Sequence, residues 1–508
     1  MPCGPPQGIA VPAGNGPAGS IWTHHPYRAT ETAIDAGRYV AVRRRTWLVG
    51  ATGAAGGILG GCAGLRGGSG PAAQTPVIEL SFAPYWVNQA PWNPTAVRLV
   101  EQFIAGHFRP SHRANIRVKA AGHTGGQAAN QITAAIAGTG FVDVFNDCCV
   151  DLPTWMDSGL LLPLEALLRR DNVPTSRWSA GRIGGLTLRG HLLGLPVYDG
   201  PEVMVYRQDL LDSFGLQYPD PAWNYLQAEA LWRSCARQQG SQRVYGASLD
   251  NFYVNADYLM HGFGGSTFNA GHTRCTLDQP ACIHAGDWLF GLIDAGVISP
   301  TRDSVTGLVT GRDVFSVCGG WNIFAEATQL GSKFKWNILP QPRWAVRRAV
   351  MVNSDFYAID ARTRNTEAAW QLLRWVAAEP DFTRFSMRTT LIQPALTSLW
   401  SEWEAIAQQA APTLKGKDLQ YYREAAVGGF EVPQSFFLYD GAQAASVLGG
   451  WWGKVQARQV GVQTAFKQAA SQINALERVG QSNPPPSIQQ QIRLFHREQA
   501  GLRAMFRA

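Results

Sequence analysis

At 508 residues, with 45% hydrophobic and 16% charged side chains, the chain can build two or three cores and is neither disordered nor membrane-embedded throughout. Its net charge of +7 owes much to Arg28, Arg38, Arg43, Arg44 and Arg45 near the N-terminus, and the rest is scattered, so no basic groove for nucleic acid is indicated. The 18 tryptophans stand out, because aromatic faces stack on flat apolar surfaces such as sugar rings.

Residues 1–41 are rich in Gly, Pro and Ala, lack periodicity, and are expected to form no regular structure. Arg43-Arg44-Arg45 then precede a mildly apolar stretch, Val49 to Gly61, that ends at Cys62. That stretch falls short of the roughly twenty apolar residues a spanning helix needs. Arg44-Arg45-Thr46-Trp47-Leu48 resembles the twin-arginine export signal, and Leu59-Gly60-Gly61-Cys62 resembles the lipobox of bacterial lipoproteins. Together they imply an export signal with an N-terminal extension over 1–61, a flexible tether over 62–75, and Cys62 as a lipidated mature N-terminus. The protein would then sit on the outer face of a bacterial cytoplasmic membrane, held by acyl chains. The alternative is a flexible arm that happens to carry three arginines.

Further along, Val77 to Phe82 reads as a strand, and Val97, Val100, Phe103 and Ile104 mark one face of a helix. Ile116 to Ala120 alternates as a second strand, Ala128 to Ala137 is a helix, and Phe141 to Phe145 is a third strand running out at Asn146-Asp147. Strands alternating with helices at this spacing predict an α/β domain with a largely parallel sheet, whose ligands sit beyond the carboxyl ends of the strands. The pattern restarts with two short apolar runs, Gly194 to Val197 and Val203 to Tyr206. A helix follows Asp220-Pro221-Ala222-Trp223, with Leu226, Ala230 and Leu231 on one face. Strands are expected at Val314 to Val317, Trp336 to Leu339 and Phe356 to Ile359, then a long helix over Thr366 to Ala378 and a helix-rich C-terminal third.

Setting aside Cys3 and Cys62 leaves six cysteines. Cys275 and Cys282 flank a turn-rich loop and are candidates for a disulfide, whereas Cys235 and Cys318 read as buried thiols. No Cys-x-x-Cys occurs, which excludes a zinc ribbon or a thioredoxin-like motif. His107, His112 and His123 do not have metal-binding helix spacing, so neither a metal nor a cofactor is expected.

Several segments taken in order resemble the extracellular solute-binding proteins of ABC importers, in the sugar-binding branch that includes maltose-type binding proteins. They are Val142-Asp143-Val144, Trp155 to Leu164, Gly194-Leu195-Pro196-Val197, Tyr206 to Leu211 with Gly215-Leu216, Pro221-Ala222-Trp223, Gly320-Trp321, Glu367 to Trp370 and Gln393-Pro394. The resemblance implies a two-lobed type II periplasmic-binding-protein fold, with crossovers near Pro196-Val197 and Leu339-Pro340. It implies lobe 1 over 76–195 and 341–385, lobe 2 over 200–336 and 395–478, and a separate tail over 479–508. It further implies a monomeric receptor, not an enzyme, whose lobes close on a solute that is then passed to a membrane permease. Where relatives carry Gly-Gly ahead of the strand near 356, this chain has Asn353-Ser354-Asp355, and the added carboxylate changes the polarity expected of the site.

A sugar needs aromatic platforms and groups that accept and donate several hydrogen bonds. Trp321, after Gly319-Gly320 at a strand end, is the first candidate platform, followed by Tyr85, Trp86 and Tyr253. The polar candidates are Asn146, Asp147, Asp199, Asp355 and Arg388. For most of these a core or capping role competes with binding. Another solute remains open as ligand, whether a glycerophosphodiester, a polyamine or ferric ion. Tyr421-Tyr422 resembles the paired tyrosines of iron-binding relatives. A secreted carbohydrate-active enzyme is the reading from another class, although the chain lacks Gly-x-Ser-x-Gly, His-Glu-x-x-His and nucleotide-binding glycine loops.

Overall fold

The computed structural model describes residues 76–476 apart from 85–93, 111–114, 122–127, 148–151, 250–255, 302–303, 429 and 432–440, with a few positions between 490 and 497. Thirteen strands are described: β1 Val77–Ala83, β2 Asn115–Ala120, β3 Val144–Asp147, β4 Thr187–Leu188, β5 His191–Leu192, β6 Leu195–Arg207, β7 Arg237–Gln239, β8 Gln242–Ser248, β9 Asp313–Gly319, β10 Trp336–Leu339, β11 Met351–Ile359, β12 Gln393–Pro394 and β13 Phe430–Glu431. β4 and β5 form a separate hairpin. The others join one mixed sheet in the order β2-β1-β3-β11-β6-β9-β8-β7, with β10 and β12 also on β6, and β13 on β11.

Two strands organise the α/β fold into two lobes. Over residues 195–201, β6 pairs with β11, and Tyr198 and Asp199 also face β12. From Glu202 onward its partners are β9 and β10. One strand therefore serves both lobes, and β11, reached from β10 through residues 340–350, is the second crossover. The two apolar runs expected around 194 and 203 are thus halves of a single 13-residue strand, buried at every position. Pro201 falls where one set of ladder partners ends and the other begins, a place where a missing backbone donor is tolerated. The largely parallel sheet expected from the helix–strand alternation is a mixed one. β1–β2, β1–β3 and β8–β9 run parallel, but the crossover strands run antiparallel to β3, to each other and to β9.

Side-chain alternation separates two apolar clusters. On β6, Val203 and Val205 join the first cluster, while Met204 and Tyr206 join the second. The first holds the β1–β3 half of the sheet, the helix Thr366–Ala378, and the helices from Trp400 to Gly428. The second is covered by the helices Pro280–Asp294, Gly441–Gln456 and Val462–Ala475. Residues between Ala395 and Ala426, expected from the resemblance in lobe 2, pack in the first cluster, which also holds Val305, Cys318 and Ile338 on one face of the β6–β9–β10 sheet.

The helix after Trp223 spans Tyr225–Cys235 and opens on a capping box, Asn224 with Gln227. Its buried face is Ala228, Trp232 and Cys235, not the Leu226 face, and Leu226 is 60% exposed. The reason is Gly246 of β8: a Cβ there would lie 2.1 Å from the Trp232 carbonyl oxygen, so helix and sheet meet backbone to backbone at that point. Among the described residues no helix is long and apolar enough to cross a membrane.

Candidate functional site

The ends of β3 and β9, the two crossover strands and β12 bring five of the expected residues to the boundary between the lobes. Asn146 and Asp147 close β3, opposite Tyr357 and Phe356 of β11. The Asn146 amide donates to the Phe356 carbonyl at 3.2 Å and to Asp355 Oδ2 at 3.4 Å, joining residues 209 apart in sequence. Asp355 stands at the register shift in the β11–β6 ladder, an irregularity of the kind that re-aims a side chain. Burial pushes its carboxyl well above the ordinary carboxylate range; the Asn146 hydrogen bond opposes this and the charge of Asp147 reinforces it.

Asp199 lies on β6 between Ser354 of β11 and Gln393 of β12. Its carboxylate accepts from Arg182 Nε at 2.7 Å, and both side chains are almost wholly buried, at 5% and 1% exposure. Arg182 comes from the short helix Ala180–Gly184, capped by Ser179. A buried charge needs such a partner, so the expected sugar-binding acid is half of an internal ion pair. Sequence reading missed Arg182, because nothing in a five-residue helix announces a guanidinium directed inward.

Trp321 sits on a single 3-10 turn, Gly320–Asn322, directly after β9. Its six-membered ring lies over Gly319, where a Cβ would come within 2.3–2.4 Å of three ring carbons. Gly320 meets a different neighbour, since a Cβ there would be 2.2 Å from Gln393 Oε1. With the Gln393 amide turned to suit its surroundings, Nε2 donates to the Gly320 and Asp199 carbonyls at 3.2 and 3.1 Å. The two glycines therefore have separate duties, one beneath the indole and one beneath the amide. Gly319 also pairs with the buried Glu202 of β6, so the indole is carried beside the crossover strand. Trp321 is partly buried, with its inner side on the second cluster.

The remaining expectations divide. Arg388 is exposed in the last turn of the helix Pro380–Thr390, where its charge helps hold Glu402 below the usual carboxylate range, behind the larger effect of Arg384. It is on the surface and does not join the crossover strands. Tyr85, Trp86 and Tyr253 lie outside the described residues, as do Arg44, Arg45 and Cys62. Cys275 and Cys282 are buried free thiols, not a bridge. Cys282 donates to the Ser266 carbonyl at 3.3 Å, while the Cys275 backbone is tied to Asn474, and burial pushes both thiols up to about 12. Tyr422 is wholly buried against Glu326 and so is not placed to hold an iron ion. Among the described residues no group of three or more His, Cys, Asp or Glu could hold a metal ion.

A groove of about 800 Å³ on lobe 1 is lined by Glu165, Arg169, Asn172 and Ile183 among others. None of its lining residues is on a crossover strand, so it is separate from the site assembled here. That site joins an indole to amides and carboxyls at strand ends, which suits a ligand with an apolar face and a hydroxyl rim.

A model of the family described as bacterial extracellular solute-binding protein matches residues 97–381 of this chain. A curated relative from Deinococcus radiodurans, named "Probable ABC transporter-binding protein", is 21% identical over 235 residues, 43% of this chain and 55% of the relative. The chain thus spans about half the length of the curated relatives it matches. Among solved structures it is similar to an ABC substrate-binding protein from Listeria monocytogenes in complex with cycloalternan, with a TM-score of 0.64 and 18% identity over 78% of this chain and 98% of that one. It is also similar to the sugar-binding protein MalE of Xanthomonas citri, with a TM-score of 0.63 and 15% identity over 78% and 96% of the two chains. At these identities the structural likeness speaks for the two-lobed fold.

Proposed function

We propose that this chain, which belongs to the bacterial extracellular solute-binding proteins, captures a carbohydrate between its lobes and delivers it to the membrane subunits of an ABC importer. The family is one of binding proteins, and the chain is not an enzyme. The observation that carries the carbohydrate reading is the indole of Trp321 laid over Gly319 beside the crossover strand, with the Asn146–Asp355 pair on the neighbouring strands. An aromatic face and hydrogen-bonding groups on strands shared by both lobes are what a sugar needs to draw the lobes together. Structural neighbours solved with cycloalternan, maltose or acarbose support the same reading. Export through the twin arginines Arg44-Arg45 and anchoring through a lipidated Cys62 complete the proposal, in agreement with a family that works outside the cell.

A thermal-shift panel tests it. Maltose, acarbose and cycloalternan are compared with spermidine, glycerophosphocholine and ferric citrate, because a ligand that binds only the native state raises the melting temperature by mass action. The reading predicts the largest shift from a sugar. A shift from spermidine or ferric ion alone, with every sugar inert, would contradict it.

A further inference from the structure

Five residues beyond Trp321, the helical segment that follows it widens into a π-helical stretch, Glu326–Leu330, a geometry concentrated at functional sites. Its first residue, Glu326, is wholly buried. Tyr422 Oη, from the helix Gln420–Gly428, lies 3.0 and 2.9 Å from the two carboxyl oxygens. The Cys318 thiol of β9 also bonds to the carboxyl. The other elements packed here bring no charge to it: the helix Ser304–Val309 contributes Val305 and Leu308, and the turn Pro412–Leu414 contributes Thr413, which donates to the Ala327 carbonyl at 2.8 Å. Among the described residues no cation pairs with Glu326, and a buried carboxyl without a counter-charge keeps its proton. One phenol proton satisfies one carboxyl oxygen, so the second close contact is explained when the acid donates its own proton to the phenol oxygen.

We infer that Glu326 is a positioning residue: as the neutral acid it clasps the segment that carries Trp321 to the helix bearing Tyr422, and loss of its proton leaves an uncompensated buried charge that destabilises this packing. The part concerning Trp321 rests on the ligand reading above, whereas the proton-dependent clasp does not.

Burial raises the Glu326 carboxyl to about 8, more than its hydrogen bonds with Tyr422 and Cys318 lower it, whereas the unfolded chain titrates near 4.5. Between those values the native state holds a proton that the unfolded state lacks. Stability is therefore greatest below 4.5 and is lost as pH rises toward 8, by about tenfold in the folding equilibrium per pH unit from this one group. The experiment measures ligand-free denaturation of wild type and Glu326→Gln at about pH 5.5 and about pH 7.5; subtracting the variant removes every other titration, leaving about a hundredfold loss in wild type alone. Parallel loss in the two proteins would overturn the clasp. Tyr422→Phe, which removes the phenol oxygen but leaves the acid, supplies the second arm, read with the panel sugar that stabilises wild type most. It is expected to weaken sugar binding at least several-fold while retaining the wild-type pH slope of ligand-free stability. Binding at wild-type affinity would overturn the link to Trp321. If no panel sugar stabilises wild type, the carbohydrate reading fails while the ligand-free comparison still decides whether the native state holds Glu326 as the neutral acid.

Discussion

Asp199 and Arg182 define what the crossover strand can tolerate at the scale of single residues. A carboxylate and a guanidinium bonded at 2.7 Å, with side chains 5% and 1% exposed, carry a heavy desolvation cost that only their mutual contact offsets. Removing either partner leaves the other charged and buried, so Arg182→Met is expected to lower ligand-free stability by about 3–5 kcal/mol. The double variant Arg182→Met with Asp199→Leu should recover much of that loss, and chemical denaturation of the four proteins in the cycle checks it. A double-variant loss equal to the sum of the two single losses would show that the pair has no special coupling. Asp199 was legible in sequence as a polar residue beyond the apolar run, but its partner was not. The link is made by tertiary packing of a short helix whose local sequence, Ala-Gly-Arg-Ile-Gly, offers only a serine cap.

At the scale of elements, the strands and helices with strong periodicity were read well and those at the lobe boundary less so. Val100, Phe103 and Ile104 do line the inner side of the helix Pro94–His107, because a 3.6-residue period is visible without a partner. β6 was read as two runs, since Pro196, Gly200 and Pro201 carry the usual marks of a break. Its continuity depends on β9, β10, β11 and β12 exchanging places along its sides, which no local pattern records. The apolar face that Leu226 marks does not turn inward: the approach of Trp232 to Gly246, set by the sheet, decides which face does. The Gly319-Gly320 pair was recognisable as open backbone ahead of an aromatic. What could not be read was the division of labour, with the indole over one glycine and Gln393 against the other.

At the scale of the whole molecule, the two-lobed fold supplies a shared boundary, and the N-terminal segment supplies an address. If Cys62 is lipidated after twin-arginine export, Cys62→Ala should release the protein from membranes or stall its processing. Arg44→Lys with Arg45→Lys should block export although the charge is kept, because lysine does not reproduce paired guanidinium groups. Fractionation of cells expressing each variant checks both, and unchanged membrane association of Cys62→Ala would count against the anchor.

The central claim, that a sugar is held at the crossover strands with Trp321 as its platform, is tested most directly by calorimetric titration of wild type and Trp321→Ala with the panel sugar that stabilises wild type most, beside the melting temperatures of both ligand-free proteins. Stacking on an aromatic platform contributes about 0.5–1.5 kcal/mol beyond area burial, so the account predicts an affinity loss of roughly tenfold or more, with ligand-free melting little changed. A core tryptophan would instead cost about 3–5 kcal/mol of stability on truncation. A large fall in ligand-free melting temperature, with affinity per folded molecule intact, would contradict the account.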